Sequence, residues 1–149
     1  MEKIFIYYSI TGNGDEVAKR MLGKGYEVRK VVEKNKPPKS KFFFILSGGF
    51  RAGINSKGKL VEYDNDVSKY EEVVIGSPIW NGRLSPAINA VIANTNLENK
   101  KLTFVLYSGS GEGKAANKKI NKLFPSAKII FLKEPKHHEE EYAKLDELD

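Results

Sequence analysis

Three short stretches of the sequence combine glycine with hydroxyl or amide side chains, and each follows an apolar run. They are residues 9–14 (Ser-Ile-Thr-Gly-Asn-Gly), 76–83 (Gly-Ser-Pro-Ile-Trp-Asn-Gly-Arg) and 108–113 (Ser-Gly-Ser-Gly-Glu-Gly). Glycine leaves backbone N–H groups open to an anion or to the edge of a planar ring, and serine or threonine adds further donors. These stretches are therefore the candidates for a ligand site.

The first stretch has the composition of a phosphate-binding loop. Ser9 and Thr11 supply hydroxyl groups, and Gly12 and Gly14 allow the backbone to wrap around an anion just before a predicted helix. The start of that helix adds about half a positive charge. Taken alone, the stretch is equally consistent with a glycine–asparagine turn capped by a hydroxyl group.

Other phosphate loops fit the sequence less well. Residues 12–14 begin like a dinucleotide fingerprint, but Val17 stands where the third glycine is needed. Residues 109–114 are one residue too short for a Walker loop. A phospho-receiver domain needs acidic residues where this chain has Ser9 and Ser77, so that interpretation fails.

The second and third stretches could hold a flat ring. Trp80, the only tryptophan, lies close to Pro78 at the end of a predicted strand, and the turn around it offers backbone groups to the polar edge of a heterocycle. Residues 108–111 leave backbone open for the same purpose. A buried tryptophan and a plain surface loop are the simpler explanations of each stretch alone, so the hypothesis depends on all three occurring together.

Composition limits the chemistry that the chain can perform. It has 149 residues and no cysteine, which excludes disulfides, thiol redox chemistry and cysteine-bound iron–sulfur clusters. Any redox work would thus need an organic cofactor. Lys and Arg outnumber Asp and Glu by 25 to 19, a net charge of +6, which favours anionic partners.

Two classes of partner are disfavoured by the sequence. The densest basic run, residues 34–41, has no aromatic residue, and the other basic residues are dispersed, so nucleic-acid binding is not expected. No apolar run reaches the roughly 20 residues that a membrane-spanning helix needs. We therefore expect a cytoplasmic protein with no membrane partner.

A repeated strand–turn–helix pattern predicts a single α/β domain over residues 1–149. Continuous apolar runs at 4–8, 73–75, 102–106 and 129–132 suit strands covered on both faces, and 26–32 suits an edge strand. Four apolar stripes predict helices between and after them: Val17, Ala18, Met21 and Leu22; Ile88, Val91 and Ile92; Ala116, Ile120 and Leu123; and Tyr142, Leu145 and Leu148.

Local signals place the ends of these helices. Asp15-Glu16 opens the first, Ser85-Pro86 supplies a cap and a first-turn proline for the second, Pro125 stops the third, and the last follows Pro135. Residues 42–66 are ambiguous by periodicity. Because parallel strands need a right-handed crossover, we predict the helix between the second and third strands there.

The sequence resembles the flavodoxins and their flavodoxin-like relatives. The resemblance rests on residues 8–13 and 74–80, and it is strengthened by residues 84–87 and the glycine-rich stretch from Ser108. It implies a three-layer flavodoxin-like α/β fold, with a five-stranded parallel sheet in the order 2-1-3-4-5 and helices on both faces. In such sheets, ligands bind at the carboxyl ends of the strands where the strand order reverses.

The resemblance also implies the cofactor FMN and the residues that bind it. Ser9, Thr11, Gly12, Asn13 and Gly14 would hold the phosphate; Pro78, Ile79, Trp80, Asn81 and Gly82 would flank the isoalloxazine; Ser108, Gly109, Ser110 and Gly111 would border its polar edge. The chemistry is then electron transfer by the flavin. We predict no catalytic residue and no metal site.

Three functions follow from this interpretation. The first is an electron carrier that docks with acidic redox partner proteins. The second is an FMN-dependent oxidoreductase that accepts hydride from NAD(P)H and reduces a quinone-like acceptor, favoured because the third stretch has no aromatic residue to cover the flavin. The third is a flavin-free docking scaffold. Arg83, Arg51 and Lys114 are candidates to raise the reduction potential by their positive charge.

Overall fold

Strands and helices alternate along the chain. The computed structural model describes residues 2–34 and 59–149. Its elements are β1 (Lys3–Tyr7), α1 (Asn13–Gly23), β2 (Glu27–Lys30), β3 (Glu72–Trp80), β4 (Arg83–Leu84), α2 (Pro86–Asn94), β5 (Lys101–Ser108), α3 (Lys114–Leu123), β6 (Lys128–Lys133) and two 3₁₀ helices, Pro135–His137 and Glu139–Leu148. None of the helices in these two ranges is long and apolar enough to cross a bilayer.

The sheet has the predicted topology. Its order is β2-β1-β3-β5-β6, and all four of these pairings are parallel. The short strand β4 lies outside this order and pairs with the end of β3 in an antiparallel hairpin. Without β4, the order is the expected 2-1-3-4-5.

The core lies on both faces of the sheet, which explains the continuous apolar runs. Ile4 and Ile6 pack on the face covered by α2 and α3, whereas Phe5 and Tyr7 pack on the opposite face under α1 and the second 3₁₀ helix. Because successive residues of a strand point to opposite faces, a strand covered twice must be apolar at every position. The three-layer arrangement is thus confirmed.

The helices differ from the predicted ones in several details. α1 begins at Asn13, before the acidic pair that was expected to open it. The last helix is a 3₁₀ helix, and its buried residues Tyr142, Leu145 and Leu148 recur every three positions, the 3₁₀ repeat. Two residues assigned to buried stripes are exposed at helix ends, namely Leu22 (63%) and Leu123 (48%).

The predicted helix over residues 42–66 is wrong where the structure describes it. Residues 59–66 are not helical. Leu60 forms an antiparallel bridge with Glu33, and the N–H of Val61 donates to the carbonyl of Val32. Backbone pairing with the end of the edge strand therefore replaces a helical turn, and residues 42–58 lie outside the described residues.

Candidate cofactor site

The loops that follow β1, β3 and β5 meet at the carboxyl edge of the sheet. The rings of Tyr8 and Trp80 contact edge to face, with centroids 6.2 Å apart. The N–H of Ala116 donates to the carbonyl of Gly82 at 2.9 Å, and a Cβ placed on Gly113 would lie 3.1 Å from Ile79 Cγ2. These contacts join the first loop to the second and the second to the third.

The first loop is organised around the hydroxyl group of Ser9. Ser9 Oγ accepts the N–H of Gly12 at 3.3 Å and the N–H of Gly14 at 3.1 Å. Gly12, with φ of 98°, caps α1 in the left-handed region that favours glycine. The backbone donors of the loop thus converge at the start of a helix, and Thr11 lies exposed beside them.

Gly14 is required by its contact with Tyr107. A Cβ on Gly14 would lie 2.5 Å from Tyr107 Oη and 2.8 Å from Ser9 Cβ. Tyr107 is buried and donates its hydroxyl proton to the carbonyl of Tyr8, and burial raises its pKa well above the usual range. The tyrosine therefore braces the loop from the core side, in the space that a side chain at position 14 would occupy.

A polar network ties the start of α1 to β1 and β2. Asp15 Oδ1 accepts from Tyr7 Oη at 2.7 Å and from Lys30 Nζ at 2.9 Å. Burial alone would raise the pKa of Asp15, but the hydrogen bonds from Lys30 and Tyr7 outweigh it and hold that pKa below its usual range. Burial and the bond to Asp15 raise the pKa of Tyr7. Asp15 is therefore a carboxylate with a cation partner.

The second loop is a tight hairpin. β3 continues to Trp80, which pairs with Arg83 across a two-residue turn. Asn81 (φ 53°) and Gly82 (φ 75°) both have positive φ, as a type I′ turn requires. Asn-Gly is a strong hairpin signal that could have predicted β4 from the sequence.

Buried serines hold this hairpin against α2. The N–H of Ser85 donates to Ser77 Oγ at 3.2 Å, and Ser77 Oγ donates to the carbonyl of Pro78 at 2.8 Å. Ser85 Oγ also accepts the N–H of Ile88, which confirms it as the cap of α2. These bonds fix where the hairpin leaves the sheet.

The residues of the second loop that were predicted to flank the isoalloxazine differ in how far they are buried. Ile79 is buried in the core and Pro78 is buried in the strand, whereas Trp80 is half-buried and Asn81 is exposed. Pro78 and Ile79 therefore bring backbone to the site, and Trp80 is the side chain from this loop with a large apolar surface there.

Within the described ranges, Arg83 Nε is buried with no hydrogen-bond partner.

The third loop is organised like the first. Ser108 Oγ accepts the N–H of Gly111 at 2.9 Å and the N–H of Glu112 at 3.1 Å. Ser108 is buried, while Gly109 and Ser110 are exposed. Ser108 thus shapes the loop from within, and the next two residues present their backbone at the edge.

A fourth segment, after β6, joins the site and was missed from the sequence. The backbone N–H of Lys136 donates to Asn13 Oδ1 at 3.0 Å, and Lys136 Nζ donates to the carbonyl of Thr11 at 3.1 Å. The N–H of Glu134 donates to the carbonyl of Ser108 at 2.9 Å. The available signal was topological, because β6 ends at the same edge as β1, β3 and β5.

Several solved structures share this architecture. A candidate flavoprotein from Bacteroides eggerthii DSM 20697 superposes with a TM-score of 0.77 at 18% identity, covering 97% of this chain and 96% of its own. A flavoprotein in complex with FMN from Lactobacillus acidophilus NCFM gives 0.66 at 18% identity, covering 87% of this chain and 89% of its own. Oxidised flavodoxin 1 from Bacillus cereus superposes with a TM-score of 0.56 at 16% identity, covering 98% of this chain and 93% of its own.

The likeness is one of structure. No protein-family model matches the chain, and no curated protein matches it in sequence. The strand order, the layers and these superpositions together establish that the chain has the flavodoxin-like fold.

Proposed function

We propose that this chain is an FMN-binding, flavodoxin-like electron-transfer protein. The observation that carries the proposal is the first loop, where Ser9 Oγ gathers the N–H groups of Gly12 and Gly14 at the start of α1. That loop lies at the same edge of the sheet as Trp80. A protein with the same fold is described in complex with FMN, which supports this choice of cofactor.

The first loop fits a phosphate group. Thr11 is exposed and carries a hydroxyl group. Ser9 Oγ is the acceptor in its bonds to Gly12 and Gly14, so those bonds do not use its hydroxyl proton. The N–H of Asn13, in the first turn of α1, has no acceptor within the helix. Together with the positive end of the helix, these donors suit an anion with several acceptor oxygens.

The second and third loops fit a flat, partly polar ring. Trp80 offers an apolar surface, and the exposed backbone of Gly109 and Ser110 offers hydrogen-bonding groups to a heterocycle edge. When bound, FMN supplies transfer of one or two electrons. The residues of this chain bind it, orient it and set the charge around it. We expect acidic redox proteins as partners, because the net charge of the chain is +6. The compartment that we propose for this exchange is the cytoplasm.

A second candidate is an FMN-dependent oxidoreductase that uses NAD(P)H. It is favoured by the third loop, in which residues 108–113 include no aromatic side chain and Gly109 and Ser110 are exposed. A flavin with one uncovered face could accept hydride from a nicotinamide. The carrier and the oxidoreductase share the same cofactor site, so they differ only in what approaches the flavin.

Two measurements test these proposals. The visible absorption spectrum of the purified protein, before and after addition of FMN and removal of free flavin, should show bound flavin at one per chain. A colourless preparation that retains no FMN would instead support the flavin-free scaffold. Stopped-flow mixing of the flavin-loaded protein with NADPH then separates the two candidates, since fast bleaching would contradict a pure carrier.

A further inference from the structure

Both carboxylates in the first turn of α1 already have cation partners. Asp15 pairs with Lys30 at 2.9 Å, and Glu16 pairs with Lys19 at 3.0 Å. Neither lysine is therefore an uncompensated charge for a ligand. A phosphate monoester carries a charge of about −1.5 to −2 at neutral pH, and the end of α1 offers only about +0.5.

Lys136 supplies a cation that pairs with no carboxylate in the part of the chain that the structure describes. Its Nζ lies 3.1 Å from the carbonyl of Thr11 and 3.5 Å from the position of a Cβ on Gly12. Over residues 2–34 and 59–149, no carboxylate forms an ion pair with it, and its ammonium group makes no hydrogen bond other than that to Thr11. An ammonium group has three donors, so two remain for a ligand.

The backbone of Lys136 is fixed independently of its side chain. The main-chain N–H donates to Asn13 Oδ1, and the side chain is exposed. The segment after β6 therefore stays against the first loop whatever the side chain does. The ammonium group can move to an anion there without displacing the backbone.

We infer that Lys136 binds the phosphate of FMN and makes the site select FMN over riboflavin. This inference rests on the proposed function. Gly14 has no hydroxyl group to offer, because Tyr107 Oη lies where a side chain would begin, and Lys136 adds donors on the other side of the loop. A charge-assisted hydrogen bond to phosphate is stronger than one from a neutral donor.

Fluorescence titration of FMN and riboflavin with the purified protein tests the inference. The variants are Lys136→Gln, which keeps the backbone bond to Asn13, and Lys136→Arg, which keeps the charge. Lys122→Gln makes the same charge change on an exposed residue in the last turn of α3. We expect Lys136→Gln to weaken FMN binding about tenfold or more and to leave riboflavin binding within about twofold, while the other two variants bind FMN like the parent.

The outcomes separate the inference from the function beneath it. If the parent protein binds neither flavin, the proposed function fails. If the parent binds FMN and Lys136→Gln binds it equally well, or loses both flavins to the same extent, only the role of Lys136 is overturned. Salt gives a second readout: FMN affinity should fall more steeply with ionic strength in the parent than in Lys136→Gln.

Discussion

The hydroxyl group of Tyr107 lies where a side chain at position 14 would begin, only 2.5 Å from a Cβ built on Gly14. Tyr107 is a rigid, buried ring on β5 that donates to the carbonyl of Tyr8, so it cannot move aside without losing that bond. The core thus requires glycine at position 14 of the candidate phosphate loop. Serine and threonine also carry a Cβ, so the same overlap with Tyr107 excludes a hydroxyl-bearing residue at position 14.

Replacement of Gly14 should therefore be costly. We expect Gly14→Ala to lower the free energy of unfolding by about 1–3 kcal/mol, as overpacking does elsewhere, measured by urea denaturation. Gly23→Ala is a matched control on the same helix, because nothing lies within 4 Å of its added Cβ, and it should be neutral or stabilising. The cost of Gly14→Ala should fall in a Tyr107→Phe background, since the colliding oxygen is gone; an equal cost there would contradict this account.

The stability of the hairpin at the second loop should depend on Gly82 only through its backbone conformation. Its φ is 75° and nothing lies within 4 Å of an added Cβ, so any penalty comes from the left-handed conformation. Gly82→Ala should lower the free energy of unfolding by about 1–2 kcal/mol. Gly82→Asn should cost less, because asparagine tolerates this region. Urea denaturation in which the alanine variant matched the parent would show that the turn is not type I′.

The Tyr7–Asp15–Lys30 network should make stability depend on pH. Because the folded pKa of Asp15 is lowered, its contribution to stability is present above the ordinary pKa of about 3.9 and is lost as the pH falls below that value. The side chain is 41% exposed, so with solvent screening Asp15→Asn should cost about 1 kcal/mol or less at pH 7. Chemical denaturation of parent and variant from pH 7 to pH 3 should show the difference shrinking with acid.

The neighbouring carboxylate offers the control for this experiment. Glu16→Gln removes a charge from the same helical turn but leaves the bonds of Tyr7 and Lys30 to Asp15 intact. Its effect on stability should be smaller than that of Asp15→Asn. A difference between parent and Asp15→Asn that stayed constant down to pH 3 would contradict the assignment.

Arg83 should influence the redox potential of bound FMN. Its backbone pairs with Trp80 at the second loop, and a cation near the flavin favours the added negative charge of the reduced cofactor. We expect Arg83→Gln to lower the two-electron potential by about 30 mV, equivalent to ~1.4 kcal/mol, in a spectroelectrochemical titration. Lys122→Gln, at the far end of α3, should leave it unchanged. An unaltered potential in Arg83→Gln would rule out this influence.

The fold was predictable because it depends on local sequence patterns. Strands covered on both faces must be apolar throughout, and the runs at residues 4–8 and 102–106 show this directly. The cap Ser85 and the loop glycines are equally local signals. Leu22 and Leu123 were misjudged because a helical stripe indicates a direction but not where the neighbouring layer ends.

The contacts between distant residues were not predictable in this way. Gly14 and Tyr107 are far apart in sequence. The hydroxyl group of Tyr107 limits the space at position 14 only because β5 lies beside the first loop in the fold. Lys136 reaches Thr11 for the same reason, and the mixed-charge residues around it in the sequence do not mark it as a ligand contact. The type I′ turn at Asn81 and Gly82 is the exception, since its residue types alone indicate it.

A crystal structure of the protein grown with saturating FMN shows directly whether the loops after β1, β3 and β5 form one flavin site. We expect one flavin per chain, with its phosphate against Ser9, Thr11 and the N–H of Asn13 and its ring between Trp80 and the third loop. Crystals without flavin, or flavin bound away from this edge of the sheet, would contradict it.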